Sequence, residues 1–260
     1  MFVVPTPRSA LNKVPEVTLT FWLIKVLSTT VGETIADYLA VNIGWGTAVT
    51  DSVMAGLLVV ALYFQVAKRN YVPWIYWITV VLVSIVGTQI TDLLTDKLDV
   101  SLYASTGVFG VLLFVIFVAW FRSEGTLSIS AIDTRRRELF YWLAILCTFA
   151  LGTAAGDLAT EALGMGFKVG SMIFSLAIAA SALAYLVGMN SVAVFWVAYI
   201  LTRPLGASLG DLLSQSKEYG GFGLGAATTS AVFLAIIMVL VAYLTAREIR
   251  RPQVLKRLSN

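Results

Sequence analysis

The stretch WLAILCTFALGTAAGD, Trp142 to Asp157, sets a tryptophan, a glycine ten residues later and an aspartate five beyond that. The spacing recurs as Trp22, Gly32, Asp37, as Trp77, Gly87, Asp92 and as Trp196, Gly206, Asp211. Each copy lies on a largely apolar run long enough to cross a bilayer, for which about 20 residues suffice. Each therefore places a carboxylate at or near membrane depth, where an ionisable group is costly and by default a functional candidate.

Composition agrees. The 260 residues are 58% hydrophobic and 13% charged, well below the roughly 25% charged residues of a soluble domain, so a polytopic membrane protein is expected. Histidine is absent, which removes the commonest proton shuttle and the commonest nitrogen ligand of transition metals. The single cysteine, Cys147, excludes an internal disulfide or a thiolate cluster and is read as a small apolar residue. The first nineteen residues hold Pro5, Pro7, Arg8, Asn12, Lys13, Pro15 and Glu16 and no continuous apolar core, so no cleavable signal peptide is expected.

Taken in order, the chain reads as a polar tail (1–16), eight apolar spans (17–39, 47–66, 72–95, 103–121, 139–162, 169–187, 192–213 and 224–246) and a basic tail (247–260). The one substantial loop, 122–138, carries Arg135, Arg136 and Arg137. The expected fold class is an all-α membrane protein of eight transmembrane helices in a single domain, 17–246. Its repeats run over 17–67, 72–121, 139–187 and 192–246, each a helical hairpin. Because a hairpin returns to its starting side, the repeats are parallel, unlike the inverted repeats of many transporters. An axis along the membrane normal then brings the four motif helices, and their aspartates, around a common centre. The tryptophans, fifteen residues earlier at 1.5 Å per residue, lie about 22 Å nearer the other surface and are expected to form an interfacial belt.

Lysine and arginine set the orientation. Lys68, Arg69, Arg122, the arginines of the 122–138 loop and both tails fall on one side, against only Lys97, Lys168 and Lys217 on the other. Both termini are expected to be cytoplasmic, in a bacterial inner membrane. The basic loop and tail are read as contacts to anionic headgroups; nucleic-acid binding is not expected.

With its four Trp–Gly–Asp copies at Trp22, Trp77, Trp142 and Trp196, the chain resembles, from about Val17 to Ala246, a bacterial membrane-protein family of four tandem two-helix repeats. Each repeat of that family has a characteristic tryptophan, and the repeat is catalogued as one of unknown function. The resemblance implies the architecture and no activity.

Function must therefore come from the residues. Glu33 and Asp37, Asp92 and Asp96, and Asp157 and Glu161 stand four apart, each pair on one helix face; Asp211 stands alone. Such a set repels itself in a low dielectric and requires cations or protons. Carboxylates suit hard cations, which makes Asp37, Asp92, Asp157 and Asp211 candidate ligands for a divalent metal of the Mn²⁺ or Mg²⁺ class, and clustered carboxyls also compete for protons. The competing reading is that each aspartate caps a helix end or lies in the outer interface, and Asp96 and Glu161 are the clearest cases for that. Asp51 is an unmatched carboxylate near the same end.

Two cations lie within the spans. Lys25 is expected to snorkel to the near surface, or else to act as a counter-ion. Arg203, deeper and followed by Pro204, needs a partner, either Asp211 or a neighbouring carboxylate. Pro204 frees carbonyls in the preceding turn, which broken helices use as ion ligands. The motif glycines are read as packing positions, with Gly152 and Gly156 forming a GxxxG. Ser28, Thr29, Thr30, Ser84, Thr148 and Thr202 either coordinate a cation or bond back to their own helices.

The leading expectation is a proton-coupled secondary transporter or exporter of cations, with no resident cofactor and no enzyme activity, since no nucleotide-binding motif is present. A channel with an aspartate ring and a non-transporting receptor are alternatives. An intramembrane aspartyl hydrolase, suggested by Gly156-Asp157 and Gly210-Asp211, lacks the earlier glycine of such enzymes, where Ala154 and Ser208 stand.

Overall fold

The computed structural model describes residues 12–42, 44 and 46–258, with side chains at 41 and 251–258 excepted. Among these residues the chain forms eight long helices: α1 (Leu19–Val41), α2 (Thr47–Ala67), α3 (Pro73–Asp92), α4 (Leu102–Glu124), α5 (Arg135–Asp157), α6 (Gly166–Leu186), α7 (Ser191–Ser214) and α8 (Ala226–Leu258). Their starts follow local chemistry. Thr18, Ser101, Thr134 and Asn190 each accept a backbone N–H of the first turn of α1, α4, α5 and α7, and Pro73 opens α3. Seven of the helices are long and apolar enough to cross a membrane. The exception, α1, has 23 residues but carries Lys25, Glu33 and Asp37.

Helices α1, α3, α5 and α7 form a closed inner ring, each packed on the next and α7 on α1. The even helices stand outside. They do not pack as hairpins on their own partners: α2 lies on α3, α4 on α5, α6 on α7 and α8 on α1, so each repeat hands its second helix to the next one. The offset closes the ring at the chain ends and joins α8 to α1. In their most apolar stretches α3, α5 and α7 bury 56%, 67% and 67% of their residues, against 17% for α2, α6 and α8 and 22% for α4. The exposed outer faces carry Val59, Val111, Phe114, Leu176 and Met238, an apolar surface far larger than a water-facing domain tolerates.

The motif glycine sets the approach of the inner helices. A Cβ on Gly32 would collide with Ser84, one on Gly152 with Arg203, one on Gly206 with Thr29, and one on Gly87 would lie 2.6 Å from the Phe149 Cβ. In every repeat the obstacle stands three residues before the motif glycine of the next. The same contact at the same level, four times round, requires the inner helices to be parallel and related by a pseudo-fourfold rotation. Close approach through small residues is the usual solution where lipid supplies no hydrophobic drive between helices.

The tryptophans depart from expectation. They do not form an outward belt: Trp77, Trp142 and Trp196 are buried. The reason is the aromatic residue immediately before each one. Phe21 packs on Trp77 (ring centroids 5.7 Å), Tyr76 on Trp142 (5.5 Å), Tyr141 on Trp196 (6.3 Å) and Phe195 on Trp22 (5.6 Å). Tyr76 and Tyr141 share a hydrogen bond of 2.5 Å between their hydroxyls. This continuous aromatic layer closes one end of the inner ring.

The polar tail expected over 1–16 is also corrected where the structure describes it. Asn12 to Pro15 are buried, Lys13 pairs with Glu138 at 2.5 Å and donates to the Val66 carbonyl at 3.0 Å, and Gln65 donates to the same carboxylate at 3.2 Å. The start of the chain is thereby latched to α2, α5 and the 122–138 loop; residues 1–11 lie outside the described residues. At the other end, α8 runs on without a break through the region read as a basic tail, as far as residue 258.

Gly206→Ala should lower the unfolding free energy of the detergent-solubilised protein by about 1–3 kcal/mol, the usual cost of overpacking. Gly107→Ala, on α4 with open space around it, should be neutral or slightly stabilising. Thermal unfolding of the two variants in parallel checks this.

Candidate cation site

Five residues beyond each motif glycine the inner helices present an aspartate, and the ring brings all four to one cavity. Asp37, Asp92, Asp157 and Asp211 line it together with Glu33, Asp96, Glu161 and Asp51. Its volume is about 310 Å³. Lys97 is the one basic residue in its wall among the described residues, and Gln89 and Gln215 add side-chain amides. In repeats two and three the α-helix gives way to a π-helical turn immediately after the aspartate, Leu93–Lys97 and Leu158–Ala162. Such turns are frequent at functional sites, and here they carry Asp96 and Glu161, which line the cavity although both are exposed. Asp51 reaches the rim from α2. Its partner helix in the offset packing is α3, which sequence spacing does not reveal.

Asp211 and Glu33 are the most enclosed of the set, 6% and 5% exposed. Asp37 Oδ2 and Gln89 Oε1 are buried and have no hydrogen-bond partner among the described residues. The wall thus presents acceptors, two of them unanswered among the described residues, and a buried unanswered acceptor favours a donor or a cation. No three of the described His, Cys, Asp and Glu side chains come together closely enough to hold a metal ion. The four aspartates expected as metal ligands therefore share a cavity without forming a coordination set.

Below the cavity, toward the aromatic layer, lie the two cations. Arg203 is fully buried. Its Nη2 donates to Glu33 Oε2 at 2.6 Å and to the Thr88 hydroxyl, so the pair ties α7 to α1 and α3. The partner is Glu33 and not Asp211. Arg203 Nε and Nη1 have no hydrogen-bond partner among the described residues. Lys25 does not snorkel. It is 1% exposed, and its Nζ lies 3.8 Å from the Phe149 ring centre and 4.2 Å from that of Tyr199, a cation–π site. It makes no ion pair among the described residues. The cause is position: Lys25 stands seven residues before Gly32, on the face that meets the ring interior, so its stem has no route to the surface.

The remaining candidates resolve plainly. Thr29 and Thr30 bond back to the Val26 carbonyl, Thr148 to that of Ile145 and Thr202 to that of Tyr199. These four are spoken for by their own helices, whereas Ser28 Oγ and Ser84 Oγ are buried with no hydrogen-bond partner among the described residues. Helix α7 runs through Pro204 unbroken, so no broken-helix ion site is seen there. Gly152 and Gly156 both face the Arg203–Pro204 segment, which confirms their packing role. The residues missed in the sequence are Gln89 and the aromatics preceding the tryptophans. The latter recur in every copy as Phe21, Tyr76, Tyr141 and Phe195 and were visible there.

The architecture defines an all-helical protein of four tandem two-helix repeats with membrane-length apolar helices. Residues 20–71, 75–126, 140–188 and 194–250 match the family described as Repeat of Unknown Function (DUF347), and the chain belongs to that family. No curated protein and no solved structure matches it.

Breaking the buried pair from either side should be costly. Arg203→Met or Glu33→Gln alone should destabilise by about 3–5 kcal/mol, because the other charge is left unpaired in the interior. The double substitution should cost clearly less than the sum. Chemical unfolding of the four proteins in detergent measures the coupling.

Proposed function

We propose that this protein is a membrane cation transporter whose binding site is the carboxylate cavity at the Asp end of the inner ring. One observation carries the reading: four symmetry-related aspartates and four further carboxylates line a single cavity, with Lys97 the one basic residue in its wall among the described residues. Structural aspartates spread over helix caps have no reason to share a wall. Self-repulsion in that wall is relieved by bound cations or protons, so the same carboxyls serve both ligands and couple them. With no nucleotide-binding motif in the chain, secondary transport is the class that follows.

The other end of the ring supports a transporter over a channel. The aromatic layer and the buried Lys25 and Arg203 stand between the cavity and the far side, and an open pore would have to pass both. In this reading all eight helices cross the membrane, α1 included, because its three charged side chains all face protein or the cavity. The excess of Lys and Arg on the Trp side supports an orientation with that end and both termini cytoplasmic, in which the cavity opens outward from a bacterial inner membrane.

In liposomes containing the purified protein, Asp211→Asn and Asp157→Asn should each lower cation-driven proton flux at least tenfold, while Glu218→Gln, outside the cavity, should leave it unchanged. A pH-sensitive dye trapped inside the vesicles reads this directly. Undiminished flux in both aspartate variants sinks the proposal.

A further inference from the structure

We infer that the cation this cavity takes is an organic nitrogen cation, an alkylammonium or guanidinium ion with two charged groups, and not a metal ion held by direct coordination. The inference rests on the transporter reading above and names its substrate class.

Three observations lead there. The first is the spread of the acceptors. A bare divalent ion needs several oxygens within about 2.0–2.6 Å of one point, whereas no three of the described acidic side chains converge in that way. The carboxylates instead surround a space of about 310 Å³, the scale of a small organic ligand site. A cation that reaches its partners through N–H bonds of about 2.7–2.9 Å and brings its own carbon framework fills such a space.

The second is the unanswered acceptors. Gln89 is 7% exposed, lines the cavity and leaves Oε1 without a donor among the described residues, as Asp37 leaves Oδ2. An amide oxygen and a carboxylate on neighbouring inner helices match the divergent N–H donors of an ammonium or guanidinium group.

The third is what the protein already holds in this part of its interior. The Arg203 guanidinium sits on Glu33 and Thr88, and the Lys25 ammonium lies against the faces of Phe149 and Tyr199. These are tethered examples of the proposed ligand chemistry, held by the same inner helices: Glu33 and Thr88 stand four residues before the motif aspartates, Phe149 eight and Tyr199 twelve. The acid groups also come in tiers along those helices. Glu33, the motif aspartates, and Asp96 with Glu161 stand at successive four-residue steps, about 6 Å apart at 1.5 Å per residue. A linear ion with charges separated by a four-carbon chain meets two tiers at once, and a monovalent ammonium meets one.

Binding to the full-length protein in detergent, by calorimetry at constant ionic strength, tests this with 1,4-diaminobutane, 4-guanidinobutylamine, butylammonium, Mn²⁺ and Mg²⁺ as probes. The two dications should bind at least tenfold more tightly than butylammonium and than either metal, and Asp211→Asn should weaken them at least tenfold. Gln89→Leu, which removes the unanswered oxygen and leaves every carboxylate in place, should weaken them about threefold or more. Tighter binding of Mn²⁺ or Mg²⁺ than of the dications, lost in Asp211→Asn, overturns the substrate class while leaving the transporter reading intact. Absence of binding by every probe overturns both. Equal binding to wild type and Asp211→Asn shows surface association only and overturns the assignment to this cavity.

Discussion

The contact between each motif glycine and the residue three before the next one is the constraint from which the rest follows. It fixes the distance between inner helices at a value no larger residue permits, and because it recurs four times the ring must close. Closure has two consequences at once. Positions eleven and ten residues before the glycine come together as an aromatic layer, and positions five residues after it come together as an acid-lined cavity. Neither feature can form from one repeat or two, since each aromatic pair and each section of cavity wall is shared between neighbours.

Within this near-symmetric frame, function is written in the departures from symmetry. Three residues before the glycine stand Thr29, Ser84, Phe149 and Arg203; seven before it stand Lys25, Val80, Ile145 and Tyr199; one after it stand Glu33, Thr88, Thr153 and Ala207. One repeat supplies the guanidinium, another the carboxylate that receives it, a third the hydroxyl that steadies it. Repeats one, three and four supply the ammonium and the two rings that hold it. A buried ion pair contributes little net stability against an apolar alternative of the same shape. Two buried basic side chains are therefore hard to explain by packing alone, and both lie beneath the acid cavity.

Much of this was legible in the sequence. The Trp–Gly–Asp spacing alone carried the repeat number, the parallel sense of the inner helices, the packing role of the glycines and the convergence of the aspartates, because a strict period constrains rotation as well as translation. What it could not carry was which neighbour each second helix joins. Hydropathy is the same whether α2 packs on α1 or on α3, and the choice decides that Asp51 reaches the cavity. The fates of Lys25 and the tryptophans were misjudged for a related reason. Snorkelling and interfacial belts are rules for side chains that face lipid, and only the ring contacts show that these residues face inward. The aromatic before each tryptophan was the available signal.

The distribution of charge in the interior also constrains how the protein can work. The cavity wall concentrates acidic groups at one end, the Glu33–Arg203 pair is neutral in sum, and the buried Lys25 side chain beneath it makes no ion pair among the described residues. On the proposed transporter reading, a cation in the cavity is separated from the far end of the ring by the buried Lys25 side chain and the aromatic layer. On the same reading, passage requires that the ring contacts change, so that the far end opens as the cavity closes. The glycine contacts are where such a change must occur, since they alone set the spacing of the inner helices, and parallel helices touching at small residues can rotate or slide with few side-chain obstacles. The interaction that closes the ring is for this reason also the one whose rearrangement would open its other end.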